Sequence, residues 1–328
     1  MNIFLKIFII FNLLLLSFIS LFINDLLNIW FFMEMNNFLF ISFLSFNLKS
    51  KKMIFFYFLI QIIPSILLIF YISLNFVNFM NNNNKILLLL VYSSLLIKLG
   101  LPPFHLWMPL ISPHMPWNTL FLNLTIQKII PFYLFSNIFI ENYLIYFILI
   151  SCSLIPPLMM MNLTNLKKLL AYSSINQSSW LMILIYLKNS LWLSYFFMYT
   201  LIYLIMFLFL SFYKFNFNFM NNNNNFKMIM LIMMLNMAGL PPFSFFLFKW
   251  FSIFLISSNF MNLFIISMLM IFSSFIMFFL YTNMIYLNMF IFILKSKMLI
   301  LNYSYTNPLK VFFLLSMIIL LFPLIIMI

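Results

Sequence analysis

Apolar runs of roughly twenty residues recur along the chain, separated by short polar breaks. A hydrocarbon core about 30 Å thick is crossed by roughly 20 residues of helix. On that rule eleven spans are predicted: Ile3–Leu21, Asp25–Leu48, Met53–Phe79, Ile86–Ile111, Trp117–Ile138, Tyr143–Met161, Lys168–Leu187, Leu191–Tyr213, Lys227–Ser258, Met261–Leu294 and Lys310–Ile328. No hydrophilic stretch is long enough for a second domain. The first run has one lysine, Lys6, and no small-residue cleavage site, so it is expected to be a retained helix rather than a removed signal. The expected fold class is an all-α polytopic membrane protein.

Composition supports this and excludes other classes. Of 328 residues, 66% are hydrophobic and 6% charged, against roughly 25% charged in a soluble domain. Two glycines cannot build a Gly-rich phosphate loop. One cysteine, Cys152, and two histidines, His105 and His114, can form neither a disulfide nor a zinc cage. Phe, Ile, Leu, Met, Asn, Lys and Tyr dominate, and every one of the 16 basic residues is Lys. Codons for these residues are rich in A and T, the bias of an organelle genome. The same bias accounts for the Asn runs 81–84 and 221–225, which carry no inferred chemistry.

The net charge of +13 reads as topology. Loops after even-numbered spans contain or border Lys49, Lys51, Lys52, Lys167, Lys168, Lys214, Lys227, Lys295, Lys297 and Lys310. Loops after odd-numbered spans hold Lys85 and Lys188, together with Glu141, and Asp25 borders the first. This is a positive-inside asymmetry, and with Lys6 it puts the N-terminus inside and, after eleven spans, the C-terminus outside. The lysines are too dispersed for a nucleic-acid patch, and no nucleic-acid partner is expected.

Lys98, Lys128, Lys249 and Glu34 remain, each inside an apolar span. A charge at the bilayer centre costs on the order of 2.5–3.5 kcal/mol on insertion scales. Snorkelling to the interface suits Lys249 better than Lys98 or Lys128, which sit near the middle of their spans. Burial disfavours a charged amine and a nearby carboxylate restores it, so a lysine with a movable glutamate is a switchable proton site. No Ser-His-Asp set, carboxylate pair or metal cluster competes with that reading.

The two glycines occupy matching motifs, Leu99-Gly100-Leu101-Pro102-Pro103-Phe104 and Ala238-Gly239-Leu240-Pro241-Pro242-Phe243. Gly permits unusual dihedrals and tandem Pro removes backbone donors, so each motif interrupts a transmembrane helix. Freed carbonyls at membrane depth are tolerated only inside protein or along a cavity. The motifs lie in spans 4 and 9, which run in opposite directions, as in an inverted repeat with the ion path at the break. Residues 1–140 form the first expected repeat, 141–294 the second, and 295–328 a C-terminal loop and helix, all within one proton-translocating membrane domain.

Several motifs in order carry a family resemblance. They are Trp30, Glu34 and Asn36; Lys98-Leu-Gly-Leu-Pro-Pro-Phe-His-Leu-Trp107; Gln127-Lys128 before Pro131; Leu166-Lys167-Lys168-Leu169-Leu170-Ala171-Tyr172-Ser173-Ser174-Ile175-Asn176; and Gly239-Leu-Pro-Pro-Phe243 followed by Lys249-Trp250. Together they resemble the antiporter-like membrane-arm subunits of respiratory complex I. Past about Phe260 only hydrophobicity matches. The resemblance implies two inverted five-helix bundles, each with a broken helix, plus a C-terminal helix. It implies a proton-pumping module of the mitochondrial inner membrane, with the N-terminus in the matrix and the C-terminus in the intermembrane space.

By the same match, Glu34 modulates Lys98 at the first break, Lys128 connects, Lys249 serves the second break, and His105 is either a relay or a neutral structural group. The family often has His after Ser-Ile-Asn, where this chain has Gln177; an amide cannot carry a proton at neutral pH, so Gln177 is given no catalytic role. NADH, FMN, iron–sulfur clusters and ubiquinone are implied in other subunits, with no cofactor or metal in this chain. Partners implied are other complex I membrane-arm subunits, including neighbouring antiporter-like ones, and lipids such as cardiolipin. The alternatives are a stand-alone secondary cation/proton antiporter, which only one intramembrane acid disfavours, and a purely structural subunit, which the cost of four buried charges disfavours. A channel would need a ring or filter motif that is absent.

Overall fold

A computed structural model describes residues 3–48, 50–76, 84–138, 142–163, 165–188, 190–212, 224–241, 243–259 and 263–295. Pro242, Glu141, Lys49, Lys214, Lys297, Lys310 and the eleventh expected span lie outside the described residues.

The described chain is helical. Its α-helices are α1 (Ile3–Ile19), α2 (Leu26–Asn47), α3 (Lys51–Phe76), α4 (Asn84–Leu99), α5 (Trp107–Ile111), α6 (Trp117–Leu124), α7 (Ile126–Asn137), α8 (Asn142–Met160), α9 (Leu166–Tyr186), α10 (Leu191–Phe212), α11 (Asn224–Ala238), α12 (Ser244–Asn259) and α13 (Phe264–Lys295). Among the described residues, six helical stretches of 18 to 24 residues are long and apolar enough to cross a membrane.

The remaining expected spans depart from that simple form for identifiable reasons. Spans 4 and 9 are interrupted at their glycines, leaving short apolar helices such as Leu87–Leu99 and Ser244–Ser257. Span 5 is also divided, which its sequence does not announce: Thr125, at φ −116° and ψ −77°, separates α6 from α7. Its hydroxyl donates to the Phe121 carbonyl at 2.7 Å, a local side-chain bond that competes with the helical ladder. Span 7, now α9, is long enough but polar, with buried Ser173, Ser174, Asn176, Gln177, Ser178 and Ser179.

The chain divides into two compact units, Met1–Ser151 and Cys152–Ile328. The division falls within α8, whereas the expected repeat boundary between residues 140 and 141 precedes that helix. In the first unit α2 packs against α1, α3 and α7, and α4 against α3 and α7. Lys6 Nζ donates to Asn47 Oδ1 at 2.7 Å, tying the start of α1 to the end of α2, so these helices run antiparallel. At the opposite end Tyr133 of α7 donates to the Ile23 carbonyl at 3.0 Å.

In the second unit α9 packs against α10, α12 and α13, and α11 against α10, α12 and α13. Asn165 caps α9 by accepting from the Lys167 amide at 3.0 Å, as an N-cap side chain does for an otherwise unpaired donor. Lipid tails are as apolar as leucine, so these helices associate through close packing and interhelical hydrogen bonds rather than hydrophobic exclusion. The serines of α9 mostly bond within it: Ser173 to Leu170, Ser174 to Ala171, Ser178 to Ile175 and Ser179 to Asn176. The longer amides of Asn176 and Gln177 reach its neighbours.

Candidate functional site

Each of the two glycine breaks holds a buried lysine, and the two dispose of their freed carbonyls differently. At the first, Gly100 takes φ +66°, a left-handed conformation open to glycine. Its amide bonds the Ile97 carbonyl at 3.1 Å, and the Leu101 amide bonds that of Leu96 at 3.0 Å. This paired closure is the Schellman arrangement that ends helices at glycine. The chain then runs non-helically through Pro102, Pro103 and buried His105 before α5 begins. The indole of Trp107 turns back and donates to the Ile97 carbonyl at 3.0 Å. A Cβ on Gly100 would lie 3.1 Å from that indole and 3.0 Å from the Met108 methyl.

This closure leaves Lys98, in the last turn of α4, to meet Glu34 of α2. Their Nζ and Oε1 atoms are 2.7 Å apart, with side chains 1% and 14% exposed. Asn37, one turn along α2, also donates to that carboxylate at 3.4 Å. Both Lys98 and Glu34 are sequence-expected site residues, and the fold brings them into direct contact. Lys128 is buried in the first turn of α7, just after the Thr125 break. Beside it Gln127 donates to the Asn36 carbonyl at 3.5 Å, so this turn packs against the part of α2 that carries Glu34.

At the second break Gly239 takes φ +73°. Its amide is shared between the carbonyls of Leu235 at 3.2 Å and Asn236 at 2.9 Å. The last two carbonyls of α11 are met by side chains instead. Gln177 Nε2 donates to Met237 at 2.7 Å, and Lys249 Nζ, from α12, donates to Ala238 at 2.9 Å. All four terminal carbonyls of α11, those a helix end leaves open, therefore have donors. Pro241 follows the break.

Lys249 has no Asp or Glu in its own unit, because the chain's three acidic residues, Asp25, Glu34 and Glu141, all precede residue 152. The ammonium instead sits at the negative end of the α11 dipole and 5.5 Å from the centroid of the Trp180 ring, within cation–π range. A Cβ on Gly239 would fall 2.7 Å from Lys249 Nζ, so the space glycine leaves empty is where the lysine lies. Around it Ser244 donates to Asn236 Oδ1 at 3.1 Å, Tyr195 donates to Gln177 Oε1, and Ser173 and Tyr203 share a hydrogen bond of 2.9 Å.

Trp107, Asn37, Trp180, Tyr195 and Gln177 are the polar partners that sequence reading leaves aside. Gln177 in particular, given no part there, has its amide in the second break. The signal that points to these residues is a polar or amphipathic side chain at consecutive turns of an otherwise apolar span, as in α9.

An all-helical membrane fold with two glycine-marked breaks, each holding a buried lysine, defines a polytopic protein of the antiporter-like class. The family described as NADH:quinone oxidoreductase/Mrp antiporter, TM, matches residues 4–277, and the chain belongs to that family. It is 32% identical over 240 residues to NADH-ubiquinone oxidoreductase chain 2 of Anopheles gambiae, covering 69% of this chain and 70% of that protein. To the protein of the same name from Rhipicephalus sanguineus it is 32% identical over 268 residues, covering 80% and 83%. Its fold is similar to a chain of respiratory complex I from Thermus thermophilus, with a TM-score of 0.81 at 16% identity, covering 99% of this chain and 79% of that one.

Proposed function

We propose that this chain is a membrane-arm subunit of a respiratory complex I in the mitochondrial inner membrane. It translocates protons through Glu34, Lys98, Lys128, His105 and Lys249, driven by redox chemistry in other subunits. The observation that carries the reading is the Lys98–Glu34 pair at 2.7 Å, its lysine buried, made between two helices beside a helix break. Two unit charges about 4 Å apart attract by about 4 kcal/mol at an effective dielectric near 20. Lys98 keeps its proton while Glu34 is at hand. It gives the proton up when a movement of α2 or of the break draws the carboxylate away, and a desolvated ammonium is left alone.

Lys249 works without an acid, its proton held by a helix-end carbonyl and an indole face. The two breaks belong to two inverted repeats, 1–140 and 141–294, the first carrying Lys98 and Lys128 and the second Lys249. The lysine bias and the bond from Lys6 to Asn47 support a matrix-side N-terminus, since that bond puts the start of α1 at the end of α2, next to exposed Lys51 and Lys52. The C-terminus is then in the intermembrane space. Exposed phenylalanines such as Phe4, Phe55, Phe147 and Phe272 face lipids such as cardiolipin or neighbouring membrane-arm subunits. NADH, FMN, iron–sulfur clusters and ubiquinone are handled by other subunits of the complex.

The test is the holocomplex carrying Lys98→Ala, reconstituted in liposomes. Proton pumping per electron is expected to fall while NADH oxidation by the assembled enzyme continues. A ratio equal to that of the parent refutes the role.

A further inference from the structure

The second break contains a group that the proton-site reading does not use. Gln177 is buried, and both ends of its amide are engaged: Oε1 accepts from Tyr195, and Nε2 donates to the Met237 carbonyl at 2.7 Å. With each end matched to a partner of opposite character, the amide has one orientation. It occupies the carbonyl next to the one Lys249 uses, which is Ala238 at 2.9 Å.

We propose that Gln177 is a positioning residue for the Lys249 proton site: it withholds the Met237 carbonyl from Lys249, so that the ammonium bonds the Ala238 carbonyl and not a second one, and its proton stays releasable. The proposal rests on Lys249 being a pumping site, as argued above. An ammonium carries three donors and a free amine one lone pair, so each further carbonyl favours the ammonium. A buried carbonyl without a donor is costly, and once the amide is removed, the flexible Lys249 chain is the donor at hand.

The titratable groups on the elements packed against α12 are few. They are Tyr195, Tyr199 and Tyr203 of α10, Tyr281, Tyr286 and Lys295 of α13, Lys167, Lys168, Tyr172 and Tyr186 of α9, and Lys227 of α11; none is acidic. A change in pH profile on altering Gln177 is therefore not routed through a displaced carboxylate of this unit.

The experiment follows protons pumped per electron against pH, using holocomplexes in liposomes. Gln177→Leu is expected to move the pH at which the ratio falls by half upward by about one unit, the size of one charge-assisted hydrogen bond. Gln177→His, whose ring N–H restores a donor for Met237, is expected to bring the midpoint back towards that of the parent. Should the leucine variant fail to assemble, Tyr195→Phe frees the oxygen end of the amide and is expected to give a smaller shift in the same direction. An unshifted profile in the assembled leucine variant, or in Tyr195→Phe where it stands in, overturns the proposal. Lys249→Ala is measured in parallel. If it pumps at the parent ratio, Lys249 is not a proton site and the proposal falls with that reading; if it loses pumping while Gln177→Leu keeps the parent profile, only the positioning role is wrong.

Discussion

Replacing Gly239 with alanine asks two things of the second break, and the structure lets them be separated. The first is backbone strain. At φ +73° an L-residue with a Cβ costs roughly 1–2 kcal/mol. The second is space, since the new methyl would stand 2.7 Å from Lys249 Nζ and 3.0 Å from its Cε. Those atoms are the mobile end of a long side chain, so the clash is relieved by moving the ammonium rather than the fold. The movement breaks its bond to Ala238 at 2.9 Å, and a hydrogen bond to a charged group is worth about 1.5–3 kcal/mol.

Gly100→Ala provides the comparison. It bears a similar strain at φ +66°, but its methyl meets Met108 and Trp107 rather than a lysine. Both variants are expected to lower the melting temperature of the complex, with only Gly239→Ala also displacing the Lys249 ammonium. Asparagine separates the two effects further, because it tolerates the left-handed region yet still carries a Cβ. Gly100→Asn is expected to recover stability, with the proton-to-electron ratio at the parent value in both Gly100 variants. Gly239→Asn should recover part of the stability while its proton-to-electron ratio stays as low as that of Gly239→Ala. The assays are thermal denaturation of the purified complex and proton uptake per NADH oxidised in liposomes. A parent-like ratio in Gly239→Asn would refute the argument that the empty space beside Gly239 exists for Lys249.

Two further outcomes follow from the first break. Removing Glu34 strands the buried Lys98 charge at a cost of about 3–5 kcal/mol, so Glu34→Gln alone is expected to reduce the yield of assembled complex; the double variant Glu34→Gln with Lys98→Met should restore yield but not pumping, as gel quantification alongside the liposome assay would show. Trp107→Phe keeps the ring but loses the donor to Ile97 at 3.0 Å, and calorimetry is expected to find a loss of about 1 kcal/mol, since the Gly100 amide still serves that carbonyl.

How much of this was legible beforehand varies from residue to residue. Hydrophobic run length marked the membrane helices, because the bilayer imposes that length on any sequence that crosses it. Gly100 and Gly239 marked the breaks, because backbone dihedrals are local. The buried charges at positions 34, 98, 128 and 249 stood out because any charge in an apolar span is costly. The division at Thr125 was not legible: a threonine hydroxyl bonding to its own helix is common, and nothing in residues 117–138 shows that the ladder stops there.

By itself, then, the sequence determined the class of protein, the positions of the two interruptions and the identities of the charged groups. Tertiary structure decided their partners. It joined Glu34 to Lys98 across 64 positions of chain, and gave Lys249 a carbonyl and an indole in place of a carboxylate. It also put the Gln177 amide into a break 60 residues away. Local propensity cannot choose among donors that far apart in the chain. The choice is made when packed helices exclude water and every freed carbonyl must find a donor within the protein.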